Sequence, residues 1–364
     1  MKVGIDARAL RVEGGSKVYV KNLIDNLPNK KDFVLFGIYK HKNFKCIGSK
    51  IKNDSFLRSF YENIILPKLL KKSGIEVFHG LRSSVPIFGN FKKVVTIHDI
   101  SPIIYPSKFK VRDWVYWRSF VPIYLRRADK ILASSENTRR DIVKYLNIDE
   151  NKIKVIPLAY NTKLYKVKSK SICYKEIKLE NIRDKRILLV VNTISPRKNI
   201  ENIIKAFEKV AEREKAFILV IIGKKGWKYG DIMNTYNKSD CKERIIFLDF
   251  VPDETVTNFY NIAEALIYSS FYEGFGLPIL EAQACGCPVI TSNVSSMPEV
   301  AGKGAILVDP YNVDEIAKAM DQVLKDKKLR DDLIKKGFEN IKRFSWNKCA
   351  KETLKVYEEV FLTN

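Results

Sequence analysis

Short apolar runs alternate with amphipathic stretches along this chain, and the alternation stops once and then restarts. That pattern predicts strands separated by helices, hence an α/β fold on parallel sheets. In the first half, runs at 3–6, 33–39, 77–78, 94–97, 131–133 and 153–156 read as strands, with helical stretches at 16–27, 56–70, 112–127 and 136–146. Residues 161–184 break the rhythm, being lysine-rich with only a short apolar run. The order resumes with strands at 187–191, 217–222, 244–248, 265–268, 289–291 and 305–308 and helices at 200–211, 253–262, 277–285, 313–324 and 331–344. At 200–211, Ile200, Ile203, Ile204, Phe207, Val210 and Ala211 fall on one helical face. Ser345 is a good N-cap for a last amphipathic helix to Phe361. The expected architecture is two Rossmann-like, doubly wound domains facing across a cleft. The first spans 1–165, a linker 166–184 and the second 185–344, with the closing helix 345–364 packing back on the first. Ligands in such sheets sit at the carboxyl ends of the strands.

A chain of 364 residues, 46% hydrophobic and 29% charged, can bury one or two full cores without staples. Its six cysteines include no C-x-x-C pair, which speaks against a disulfide scaffold or a four-thiolate zinc site and for reduced cytosolic thiols. No apolar run approaches the roughly 20 residues of a membrane span. Asp6 and Arg8 stand where a signal peptide needs apolar residues, so export by that route is not expected. The net charge is +23, of which residues 1–160 hold +17 (31 basic, 14 acidic) and residues 161–364 hold +6 (34 and 28). Such an excess favours a polyanionic partner, against the simpler reading of many solvated lysines.

Four segments could carry chemistry. In SSFYEGFGLPILE, Gly274 and Gly276 let the backbone approach a ligand, and Leu277-Pro278 opens a helix. The amides of Phe275, Gly276 and Leu277 would lie at its positive end. A carboxylate that accepts from vicinal hydroxyls holds a ribose, which suits Glu281, with Glu273 near a transferred group. Equally, Glu273 would merely offset the helix dipole. In VNTISPRKN, Arg197 and Lys198 fit a diphosphate, Arg by paired hydrogen bonds and Lys as a point charge, or else solvate a loop. His98 ends the predicted strand VVTI, as a catalytic or a structural histidine. Gly14-Gly15 is a weak phosphate-binding turn. No G-x-G-x-x-G, no P-loop and no D-x-D occurs, so cations and backbone amides would have to meet a diphosphate.

These residues resemble the glycosyltransferases of the GT-B fold, family 4. The E-x7-E pair is Glu273 and Glu281, and EAQACGCPVITSNVSSMPEVAGKGAILVDPYN follows the family closely through Asn312. GIDAR with its later GG, the His98-Asp99 pair, ASSENT at 133–138 and FSW at 344–346 fit as well. One departure stands out. Where the family often reads G-R-x-x-x-x-K-G, this chain has Thr193 at the Arg position and an Arg at 197, and the R-K-N form resembles a mannosyltransferase-like subgroup.

The resemblance implies retaining, metal-independent transfer of a hexose from a nucleotide diphosphate sugar to a glycan or lipid-linked acceptor, with no cofactor; GDP-mannose is favoured, and a glucosyl- or other hexosyltransferase using a UDP- or ADP-sugar is the alternative. By carry-over, Arg197 and Lys198 stabilise the leaving diphosphate and Glu281 holds the ribose. Glu273 and the 275–277 amides hold the sugar, His98 contacts it from the first domain, and the Gly15 amide approaches the diphosphate. Leu248 and Val251 would border the base.

The stretch SKFKVRDWVYWRSFVPIYLRR mixes aromatic and basic residues. Its aromatics suit a core, and its charges suit an anionic membrane surface, which points to a peripheral enzyme at the cytoplasmic face. A basic nucleic-acid-binding protein is the competing class, but no nucleic-acid module is present. An epimerase or phosphorylase on a related fold is the third reading.

Overall fold

The computed structural model describes residues 1–11, 14–49, 59–177, 179, 182 and 185–363. The chain forms two compact units, Met1–Leu158 with Phe344–Asn364, and Ala159–Arg343. Each is built on a sheet whose described strands are all parallel.

In the first unit the strands are β1 (Val3–Asp6), β2 (Phe33–Phe36), β3 (Lys45–Ile47), β4 (Val77–Gly80), β5 (Lys92–Ile97), β6 (Lys130–Ala133) and β7 (Ile153–Val155), in the order β3-β2-β1-β4-β5-β6-β7. The order reverses direction between β1 and β4. In the second unit β8 (Arg186–Val191), β9 (Phe217–Ile222), β10 (Ile245–Leu248), β11 (Ala265–Tyr268), β12 (Val289–Ser292) and β13 (Ala305–Val308) lie in the order β10-β9-β8-β11-β12-β13. Here the reversal falls between β8 and β11. The runs are continuously apolar because helices cover both faces: all of FILVII in β9 is buried.

Helix Ile200–Ala211 buries the face that its spacing predicts, packing Ile203, Ile204, Phe207 and Val210 into a core with Leu219, Ile221, Ile316 and Met320. Each fully buried side chain of this kind stabilises the unit by roughly 1.5–3 kcal/mol.

The structure departs from the sequence reading in several places. The helix expected over 112–127 is two, Val111–Ser119 and Val121–Arg127, because Pro122 has no N–H to continue the ladder. Of the helix expected at 56–70, residues 56–58 lie outside the described residues. The rest is helical through Lys72, with a wider turn at Tyr61–Ile65. Strand β3 and helix Gly230–Asn237 were not foreseen. Within 166–184, read as a linker, Lys170–Glu176 is a helix. Cys173 is fully buried, the Lys168 N–H donates to Asn261 Oδ1 at 2.6 Å, and Asn258 Nδ2 donates to Glu176 Oε2 at 2.8 Å. These contacts attach the segment to helix Asp253–Ile262, inside the second unit.

The last helix, Trp346–Leu362, is capped by the Ser345 hydroxyl, which accepts from the Lys348 N–H, and it belongs to the first unit. The Tyr357 hydroxyl lies 2.6 Å from His79 Nδ1 on β4, and His79 Nε2 lies 2.8 Å from Thr96 Oγ1 on β5. Burial pushes the His79 imidazole down to about 3, so it is neutral. A neutral ring protonated on Nε2 satisfies both contacts.

Candidate active site

A doubly wound sheet opens a crevice where its strand order reverses. In the second unit that is the pair of exits after β8 and β11, and the charged residues of the sequence motifs meet there. After β8 the chain makes a short turn, Pro196–Lys198, and enters helix Ile200–Ala211 through Asn199. Asn199 has φ 59°, a conformation asparagine tolerates better than most residues. Its Nδ2 donates to the Ser269 carbonyl at 2.9 Å and the Pro310 carbonyl at 2.7 Å. The two exits are thereby fixed to each other, and the Phe271 N–H adds a bond to the Arg197 carbonyl at 3.0 Å.

Glu273 is the centre of this arrangement. Its Oε1 accepts from Lys198 Nζ at 2.6 Å and its Oε2 from Arg197 Nη1 at 2.9 Å. Arg197 Nη1 also donates to the Tyr272 carbonyl. Glu273 is 6% exposed and Lys198 9%. Burial would push the Glu273 carboxyl up, but the Lys198 and Arg197 charges outweigh it and hold the group at about 2. Two cations thus face one buried carboxylate.

The loop around Glu273 is held by residues the sequence reading did not single out. Ser295 Oγ accepts from the Glu273 N–H at 3.1 Å and donates to the Glu273 carbonyl at 2.5 Å. Ser296 Oγ reaches the carbonyls of Glu273 and Phe275 at 2.8 and 2.9 Å. Ser295 itself has φ 60°. The one legible signal was the doubled serine in SNVSSMPE.

Gly274, Phe275 and Gly276 complete the loop, and helix Leu277–Ala284 starts behind it with Pro278 in its first turn. Gly276 has φ +108°, and a Cβ there would press on Ile279 at 3.1 Å. Gln283 anchors the helix by donating to the carbonyls of Ala301 and Gly304 at 2.9 and 3.2 Å.

Glu281 lies one turn inside this helix and does not join the cations. The Tyr260 hydroxyl donates to its Oε2 at 3.1 Å, and Tyr165 also donates to it. Burial raises the Glu281 carboxyl to about 7 against these hydrogen bonds. Leu248 ends β10 and its carbonyl accepts from the Gly223 N–H at 3.0 Å, while Val251 follows in the exit loop.

In the first unit, His98 follows β5. The hydroxyls of Ser134 and Thr138 donate to its carbonyl at 2.8 and 3.1 Å. The Tyr19 ring meets its imidazole edge-on at 4.7 Å. Burial pushes the ring down to about 4, with Asp99 opposing, so it is neutral at ordinary pH. Its Nε2 is buried and has no hydrogen-bond partner among the described residues. Gly15 is the first residue of helix Gly15–Asn26, and Gly14 precedes it with φ 127°. A Cβ at either glycine would meet nothing within 4 Å.

Among the described residues no group of three or more His, Cys, Asp or Glu side chains could hold a metal ion. No helix among them is long and apolar enough to cross a membrane.

Comparison with known proteins gives the same architecture a family. Glycosyl transferases group 1 matches residues 175–340, and Glycosyltransferase Family 4 matches residues 13–164. The O-antigen chain mannosyltransferase B of Escherichia coli is 33% identical over 78% of this chain and 74% of that protein. The chain belongs to the family 4 glycosyltransferases of the GT-B fold. It is a glycosyltransferase enzyme of mannosyltransferase-like type. The serotype-specific mannosyltransferase WbdA of Escherichia coli is 28% identical over 71% of this glycosyltransferase, which spans only 32% of that larger protein. The Anabaena HepE protein, solved with UDP and glucose, shares the fold at TM-score 0.79 with 16% identity, over 99% of this chain and 100% of that one.

Proposed function

We propose that this glycosyltransferase moves mannose from GDP-mannose to a glycan or lipid-linked acceptor, with retention of anomeric configuration and without a metal. The observation that carries the reading is the buried trio of Arg197, Lys198 and Glu273 at the strand-order reversal of the second sheet. In the reaction, the bond between the sugar anomeric carbon and the diphosphate oxygen breaks. A new bond to the acceptor hydroxyl oxygen forms on the same face, and the acceptor proton passes to the departing diphosphate. Negative charge grows on that diphosphate, and fixed cations beside it stabilise the transition state more than the ground state.

Arg197 and Lys198 take this role, exchanging part of their contact with Glu273 for the phosphates. Glu273 and the amides of Phe275, Gly276 and Leu277 then hold sugar hydroxyls, and Glu281 accepts from the ribose. Leu248 and Val251 border the base. In the first unit, the neutral imidazole of His98 and the Gly15 amide are the candidate polar contacts to substrate. The likeness to mannosyltransferases supports the sugar.

The same enzyme works at the cytoplasmic face of an anionic membrane, where a lipid-linked acceptor resides. On the first unit, Tyr124 is buried, and Tyr116, Trp117 and Phe120 pack against the core. Val111, Val115 and Ile123 are exposed beside Lys110, Arg112 and Arg126. Aliphatic side chains amid cations suit a headgroup layer.

Calorimetric titration with GDP, UDP and ADP in the presence of a chelator tests the donor site, with Glu281→Ala beside wild type. Metal-independent binding of GDP, weakened at least tenfold in the variant, is expected. Absence of binding by all three nucleotides overturns the reading.

A further inference from the structure

The exits of β9 and β10 carry a cationic and aromatic patch that the reaction above leaves unused. Lys224 continues β9 and Phe250 follows β10, joined side by side by the Gly223 N–H bond to the Leu248 carbonyl. Phe250 is 55% exposed and Trp227 44%. Lys224 Nζ stands 4.3 Å from the Phe250 ring centroid, and Lys225 Nζ stands 5.4 Å from that of Tyr229.

The loop bearing these lysines is firmly placed. Gly223 has φ +154°, and a Cβ there would lie 1.8 Å from the Asn192 carbonyl oxygen. The Ile194 N–H donates to the Lys224 carbonyl at 2.9 Å, and the Gly226 N–H donates to the Ile194 carbonyl at 2.8 Å. Lys224 is thereby pinned to the same loop that carries Arg197 and Lys198.

The strand order β10-β9-β8-β11 sets Phe250 and Glu273 at exits three strand spacings apart, about 14 Å. An extended nucleoside diphosphate spans such an edge, with its phosphates at Arg197 and Lys198 and its base at Phe250.

We propose that Lys224 selects the base of the nucleotide donor, favouring guanine over adenine, with Phe250 as the stacking surface. The proposal rests on the donor reading above and goes further by assigning specificity to a residue. A base laid on Phe250 at van der Waals separation sits about 3.5–4 Å above the ring. Lys224 Nζ lies over the face of Phe250, 4.3 Å from its centroid, so a base that stacks on that face displaces the ammonium, on its flexible four-carbon stem, to the edge of the base. Guanine offers two acceptors there, O6 and N7. Adenine pairs N7 with an amino donor, which a lysine, having donors and no acceptor, cannot engage. Uracil also carries keto oxygens, but its single ring covers less of the aromatic surface.

The test is titration of the full-length protein with GDP, IDP, ADP and UDP, comparing wild type with Lys224→Met, which keeps an apolar stem over Phe250 and removes the charge. IDP differs from GDP only in lacking the 2-amino group, so it isolates the O6 and N7 edge. Wild type binds GDP and IDP on the order of tenfold or more tighter than ADP. In Lys224→Met the GDP and IDP affinities fall toward that of ADP, which itself stays unchanged. Arg197→Ala serves as the contrast, weakening all four nucleotides alike. An unaltered GDP to ADP ratio in Lys224→Met overturns the role of Lys224 and leaves the donor site standing. Binding of none of the four by wild type overturns both.

Discussion

Lys198 Nζ and Glu273 Oε1 meet at 2.6 Å with both side chains almost out of water, and Arg197 holds the other carboxylate oxygen. A buried carboxylate between two cations is a neutralising device that an incoming anion can partly displace. Glu273→Gln therefore leaves two cations with only a neutral acceptor. Nucleotide diphosphate affinity is expected to hold or rise, while turnover falls on the order of 10²-fold as the sugar loses its charged partner. Lys198→Ala leaves a buried carboxylate with one cation, and both stability and turnover fall, stability by about 3 kcal/mol. Steady-state kinetics and urea unfolding of the two variants check these opposite patterns.

Glu281 gives a pH dependence with a defined sign. Its carboxyl is raised to about 7 in the fold, above the ordinary 4.5. Its contribution to stability is complete below pH 4.5 and is lost as pH rises through 7. The melting temperature of wild type should thus fall relative to Glu281→Gln between pH 5 and 8. Ribose hydroxyls donate best to the ionised form, so nucleotide affinity should rise over the same interval. Thermal melts and titrations at pH 5.5, 7 and 8 read both trends. A wild-type melting temperature that climbs relative to the variant would contradict the assignment.

Tyr357 joins the last helix to the first sheet through His79. Tyr357→Phe leaves His79 Nδ1 buried without its donor, at a cost of about 1–3 kcal/mol. Tyr357→Ala adds a cavity and costs about 3–5 kcal/mol. Chemical denaturation followed by circular dichroism measures the two, and the Phe variant should keep nucleotide affinity.

Sedimentation with anionic vesicles checks the exposed face of the first unit. Wild type should pellet with vesicles containing anionic lipid at low salt and be released by high salt. Val115→Glu combined with Ile123→Glu should abolish pelleting without altering nucleotide binding, since both side chains are exposed.

Much of the geometry of the candidate site was legible in the chain because it rests on residue types that are costly elsewhere. Glu273, Arg197 and Lys198 sit at the ends of apolar runs, and Gly276 and Pro278 mark a turn that few other residues can make. The strands other than β3 were legible because parallel sheets demand continuous apolar runs, which the half-exposed Lys45–Ile47 lacks. The supporting hydroxyls of Ser295, Ser296, Tyr260 and Tyr165 were not, since such residues occur throughout the chain and their partners lie far away in sequence. Segment 166–184 misled because it is lysine-rich and, among its described residues, only Cys173, Ile177 and Ile182 are buried. Lys224 escaped notice because it is one of 65 lysines and arginines and the Phe250 ring it meets lies far from it in sequence.

The helix Trp346–Leu362 also orders events in time. It completes the first unit, burying Tyr357 among residues synthesised more than 250 positions earlier. A ribosome therefore finishes the second unit while the first still lacks one wall of its core. Domains ordinarily mature from the N-terminus onward, but here the earliest-made half is the last to close. A stop codon just after Arg343 would spare the second unit and leave the first open.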